Sequence, residues 1–148
     1  MDDWRKNLVD DDDRLRALLR ETKTIAVVGA KGHLSEPAHY VPAYLHAHGY
    51  RILPVNPTIE GQQLFGARVV PTLADLSEAV DVIEVFRRPE WLPDHAGEIL
   101  ALSWRPRAVW FQLGIRHDGA AERLARAGIQ VVQDRCMMPD HQRLLSGC

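Results

Sequence analysis

Apolar residues are grouped in short unbroken runs, separated by stretches that are apolar only at every third or fourth position. Five runs stand out: 24–28 (TIAVV), 51–55 (RILPV), 81–86 (DVIEVF), 107–111 (RAVWF) and 129–133 (IQVVQ). A short run without polar alternation predicts a strand covered on both faces, as in a parallel sheet. The intervening stretches have helical spacing. Leu15, Leu18 and Leu19 share one side of a helix over 14–20 on the outside of the domain, with Asp12 or Asp13 as its cap; the first nine residues either join it or fray. Tyr40, Val41, Tyr44 and Leu45 share a side over 37–48, which Gly49 ends. Pro42 suits that helix only in its first turn. Pro89 opens a helix reaching about Ser103, and 118–127 is a helix ended by Gly128. Residues 67–70 form a short extra strand, 73–79 one or two helical turns capped by Thr72, and the last fifteen residues a loop with at most one helical turn.

Strand and helix alternate five times, so the expected fold is α/β: a Rossmann-like, doubly wound, parallel five-stranded sheet in a single domain. The expected strand order is 3-2-1-4-5, with the switch point beside the first strand. Residues 1–23 form an acidic segment and short helix, and 24–148 the domain proper. Pro54 is unusual for a central strand, because it removes a ladder donor.

Composition narrows the class. The 148 residues are 46% hydrophobic and 26% charged, with a formal net charge of −2. That balance excludes a phosphate-backbone partner, which needs a basic face, and no apolar run is long enough for a membrane span. The start, MDDWRKNLVDDDDR, lacks the layout of a signal peptide. The two cysteines, Cys136 and Cys148, read as free thiols of a reducing compartment, so a cytoplasmic location is expected. The seven histidines form no metal pattern.

Candidate chemistry gathers where the strands end. Gly29 follows the first strand directly, and Ala30, Lys31 and His33 continue the turn into a helix N-terminus. The turn is either an anion cradle suited to a diphosphate, with Lys31 and His33 adding charge, or a structural glycine turn. The spacing matches neither a Walker loop nor GxGxxG. The second strand ends in Asn56 and Pro57, without the acid that holds the ribose of NAD. Phe86, Arg87 and Arg88 follow the third long strand; the arginines either fork onto a phosphate or form a surface pair. Gln112 and Gly114 follow the fourth strand and face the same crevice, while Trp110 is core or platform. Cys136 follows the fifth; beside Arg135 its thiol is either reactive, through a lowered pKa, or inert and buried. Glu84 lies within a strand, as a buried acid or as an edge residue paired with an arginine. No catalytic set emerges.

The pieces IAVVGA, HGYRILPVNPTIEGQQLFG, PTLADL, VDVIEVFRRPEWLP, AVWFQLGI and AGIQVVQDRCMMPDHQRL occur in one order over 24–144. In this the chain resembles the stand-alone CoA-binding domain proteins, which look like the nucleotide-binding domain of the succinyl-CoA synthetase alpha subunit. The resemblance implies coenzyme A across the carboxyl edge of the sheet, with Gly29 at the diphosphate and Asn56 and Pro57 on the adenosine side. It also implies that Phe86, Arg87, Arg88, Gln112, Leu113 and Gly114 shape the crevice, and that Cys136 lies near the thiol end. The chain departs from the family pattern where Lys31 and Gly32 follow Ala30, at Ala38 and Tyr40, and at Pro139-Asp140-His141. The expected function is non-catalytic binding of coenzyme A or an acyl-CoA. The alternatives are an accessory subunit of an acyl-CoA-handling enzyme, an NAD or redox domain, and a degenerate domain acting through protein contacts. The expected partner is a small nucleotide-containing ligand, and a protein partner stays open.

Overall fold

The computed structural model describes residues 3–145. Five parallel strands form the main sheet: β1 (Thr24–Val28), β2 (Arg51–Val55), β5 (Val82–Val85), β6 (Ala108–Phe111) and β7 (Gln130–Val132). A small antiparallel hairpin, β3 (Gln63–Leu64) and β4 (Ala67–Arg68), lies between β2 and β5 in the chain. Helices α1 (Asp12–Glu21), α2 (Pro37–Ala47) and α5 (Met137–Leu145) cover one face, and α3 (Leu92–Leu100) and α4 (Asp118–Arg126) the other. This is the expected α/β, doubly wound parallel sheet. Among the described residues no helix is long and apolar enough to cross a membrane.

Alternate strand residues feed two cores, as strand geometry requires. Ala26, Val28, Ile83, Val85, Val109 and Phe111 pack under α3 and α4. Ile25, Val27, Val82, Ala108, Trp110 and Val132 pack under α1, α2 and α5. Leu15, Leu18 and Leu19 of α1 are buried against this second face. The chain before α1 is also packed: Val9 donates to the Val131 carbonyl at 2.9 Å and is buried. Asp11, one residue ahead of the expected cap, accepts the Arg14 amide and begins α1.

The strand order corrects one expectation. It is β2-β1-β5-β6-β7, so the third long strand lies beside β1 rather than outside β2. Over the five long strands the order is 2-1-3-4-5, not 3-2-1-4-5. The cause is at the outer edge of β2. There Val70 makes a one-residue parallel bridge with Val55, donating to the Pro54 carbonyl and accepting from the Asn56 amide. That contact occupies the edge without forming a strand, and β5 takes the free side of β1. Pro54 is thereby explained, because it sits on an edge strand with its missing N–H facing outward. The reversal of direction still falls beside β1, between it and β5.

Three helical expectations also change. Pro42 lies in the interior of α2, past the first turn. The Ala38 carbonyl that it cannot reach accepts the Lys31 amide at 3.2 Å instead. The stretch opened by Pro89 is a 3-10 turn, Pro89–Trp91, followed by the shorter α3. The C-terminal segment forms the full α5, because Met137, Asp140, His141 and Leu144 bury one side of it. Cys148 lies outside the described residues.

Candidate functional site

The crevice opens at the carboxyl edge, where β1 and β5 part. Gly29 turns the chain there with φ +88°, and its amide donates to the Val55 carbonyl at 2.8 Å. A Cβ at this position would lie 2.5 Å from the Phe86 carbonyl oxygen and 3.2 Å from Arg87 Cδ. Glycine is therefore required by the close approach of the chain's own backbone, a structural role that holds with or without a ligand.

Two cavities share this edge. One, of about 190 Å³, lies toward α3 and is lined by Gly29, Pro57, Thr72, Arg87, His95 and Glu98. The other, of about 400 Å³, lies toward the N-terminus of α2 and is lined by Ala38, Phe86, Arg87, Arg88, Gln112 and Gly114, among others. Arg87 borders both. Its Nε is buried with no hydrogen-bond partner, and among the described residues its guanidinium makes no ion pair. Arg88 is exposed, 4.0 Å from Glu90. A larger hollow of about 590 Å³ follows the outer edge of β2 beside Tyr50, Phe65 and Arg68, and no predicted site residue lines it.

The other predicted residues divide by what already holds them. The side chain of Asn56 is buried and hydrogen-bonded within the protein: Nδ2 donates to the Ala30 carbonyl at 2.8 Å, and Oδ1 accepts from the Thr58 amide and hydroxyl. It ties the loop after β1 to the loop after β2. Ala30 is buried in the core under α2. Lys31 and His33 are exposed; the Lys31 carbonyl meets His39 Nδ1 at 2.8 Å, and His33 Nδ1 meets the Ser35 hydroxyl at 2.7 Å. Gly114 has φ +85°, and its amide donates to Asp134 Oδ1 at 2.7 Å.

Cys136 immediately precedes α5 and is half-buried. Burial pushes its thiol up, against the lowering effect of N–H groups donated by the Met138 backbone and the Gln112 side chain. The expected help from Arg135 is absent, because Arg135 forks onto Asp140 at 2.7 and 2.9 Å. Glu84 is no edge residue. It pairs with Val27 on one side and Trp110 on the other, is wholly buried, and neither oxygen has a partner. Burial pushes its carboxyl up to about 8. Trp110 is core, with Nε1 donating to the Arg135 carbonyl at 2.7 Å.

Sequence reasoning missed two sets of residues. Glu98 and His95 reach the small cavity from α3, with His95 Nδ1 3.2 Å from Glu98 Oε1; His95 and the Leu73 amide hold the Glu98 carboxyl low. Leu34, Tyr40 and Trp91 are large, apolar and exposed, as is Leu113, which the resemblance already set in the crevice, and all stand on segments that leave the carboxyl ends of β1, β5 or β6.

The model of a family described as "CoA binding domain" matches residues 23–142. The uncharacterized protein YneT of Bacillus subtilis (strain 168) is 33% identical over 127 residues, covering 86% of this chain and 91% of that protein. A Thermus thermophilus structure, "cell-free ID.343", is 54% identical with a TM-score of 0.87, covering 92% of this chain and all of its own. A hypothetical protein from Pyrococcus horikoshii OT3 is 31% identical with a TM-score of 0.85, covering 93% and 94%.

Proposed function

The chain belongs to the CoA-binding domain family, and from that premise we propose that it binds coenzyme A or an acyl-CoA in the crevice between the ends of β1 and β5. The observation that carries this reading is Arg87. A guanidinium with a buried, unpartnered Nε, pressed against the glycine turn and bordering both cavities, is a cation awaiting an anion. A diphosphate at that point leaves a cavity on either side for the two ends of an elongated ligand. Arg88 and Lys31 add exposed positive charge nearby. The end of β2 carries Asn56 and Pro57 in place of the carboxylate that holds the ribose 2′-hydroxyl of NAD, and this counts against NAD as the ligand. The exposed apolar side chains Leu34, Tyr40, Trp91 and Leu113 suit a ligand with an apolar end.

Calorimetric titration with coenzyme A, with NAD and ATP alongside, tests the reading. Coenzyme A is expected to bind at about micromolar Kd, near −8 kcal/mol, and the others not measurably. Arg87→Ala is expected to weaken binding by about tenfold or more, the worth of a charge-assisted contact. Absence of heat with coenzyme A, or equal heat with NAD, overturns it.

A further inference from the structure

Resting on that reading and deepening it, we propose that the larger cavity takes the acyl end of an acyl-CoA with a straight apolar chain, and that Leu113, on a turn pinned by Asp134, is the lip that reads the length of the chain.

The two cavities beside Arg87 suit different ends of the ligand. The smaller, about 190 Å³, carries the His95–Glu98 pair, hydrogen-bonding groups suited to a base or a sugar. The larger, about 400 Å³, is walled mainly by Pro37, Ala38, Phe86, Pro89, Leu113 and Ile115. Gln112 also lines it, is only 4% exposed, and has an Oε1 without a hydrogen-bond partner. An acyl-pantetheine arm is long, carries amide N–H groups and ends in the acyl chain. It brings donors for an unpaired acceptor and apolar atoms for the walls. The adenosine end is compact and polar, and leaves such walls uncovered. Two exposed residues of opposite charge, Glu36 and Arg88, complete the lining, so no net charge there selects an acyl group ending in a carboxylate.

Leu113 decides what the apolar end gains. A single exposed leucine needs no purpose. This one is 66% exposed beside the cavity it lines, and its turn is held from two sides. The Ile115 amide donates to the Gln112 carbonyl at 2.9 Å and closes the turn. The Gly114 amide donates to Asp134 Oδ1 at 2.7 Å, and the Asp134 amide donates to the Ile115 carbonyl at 3.1 Å. Asp134 sits at φ +57°, in the left-handed region that costs any residue with a side chain. The leucine is therefore presented on a fixed support, and a chain arriving beside it gains apolar contact without first ordering the loop. Trp91, exposed two residues past Pro89, extends the apolar rim. Each methylene moved wholly from water to apolar surroundings is worth about fourfold in affinity; this cavity is open to solvent, so about twofold per methylene is expected.

The test is calorimetric titration of the full chain with coenzyme A and with acetyl-, butyryl-, hexanoyl- and succinyl-CoA. Affinity is expected to rise along the apolar series, with hexanoyl-CoA binding about tenfold more tightly than acetyl-CoA, and succinyl-CoA no more tightly than acetyl-CoA. Leu113→Ser is expected to cut the hexanoyl-to-acetyl ratio to about threefold or less. Asp134→Ala unpins the turn and should lower the same ratio, whereas Asp134→Asn keeps an acceptor, tolerates the left-handed region and should restore it. The wild-type series needs no variant, and thermal unfolding of each variant checks that it is folded. Equal affinity for coenzyme A and every thioester overturns the acyl assignment and leaves the binding reading standing. Tightest binding of succinyl-CoA overturns it as well, and so does hexanoyl-CoA binding that Arg87→Ala leaves unchanged, which would lie outside the crevice. A full ratio in Leu113→Ser overturns the role of Leu113, and a full ratio in Asp134→Ala that of Asp134. No heat from coenzyme A or any thioester removes the binding reading, and this proposal with it.

Discussion

The two faces of the sheet differ most near its carboxyl edge. Under α3 and α4, β5 and β6 present Ile83, Val85, Val109 and Phe111, an apolar surface. Under α1, α2 and α5 the same strands present Val82, Ala108 and Trp110, but also Glu84, with Gln112 just beyond. One face is built for cohesion. The other accepts unpaired polar groups where the strands end, at a cost to stability. Local cost of that kind is characteristic of a working site.

Three substitutions sharpen the contrast. The largest effect is expected on the cohesive face: Phe111→Ala empties a site that is 1% exposed and should cost about 4 kcal/mol by transfer and cavity terms, read by urea denaturation. The next concerns the polar face. Glu84 holds its proton up to about pH 8, whereas in the unfolded chain it releases it near its ordinary value of 4.5. The unfolded state therefore binds fewer protons between these values, and stability falls as pH rises from 4.5 to about 8, then levels off. Glu84→Gln removes the ionisation, and should be more stable than wild type at pH 9 but close to it at pH 5. A variant less stable than wild type at pH 9 would mean that the charged carboxyl is satisfied in solution. The smallest effect is expected at the rim. Arg88, far more exposed than Arg87, should weaken coenzyme A binding less than about threefold when changed to alanine, and more weakly still at high salt.

The fold was legible because its signals are local. Unbroken apolar runs mark β1, β2, β5, β6 and β7, and Gly49 and Gly128 mark the ends of α2 and α4. The position of β5 was not legible. It depends on whether residues 67–70 reach the length of a paired strand, and here only Val70 bridges β2. The site was legible as an edge and less so as a set of roles. Arg87 and Gln112 stand where the pattern put them, because a residue just past a strand can only lie at that edge. Asn56 could not be read as a tie between loops, since its partners at Ala30 and Thr58 are set by how two turns meet. Arg135 next to Cys136 suggested an activated thiol, yet Asp140, one helical turn onward, claims the guanidinium. Charges adjacent in sequence are a weak guide when a helix begins between them.

The proline inside α2 has a consequence beyond the helix. A helix normally consumes its own carbonyls, but Pro42 leaves that of Ala38 unspent, and the Lys31 amide takes it. The loop at the mouth of the crevice is thus fastened to a vacancy in another element's ladder. Replacing Pro42 with alanine would repair the helix and put a rival donor beside the same oxygen. Competition for that acceptor would loosen the loop, so a change that improves one element in isolation would unfasten the entrance to the site.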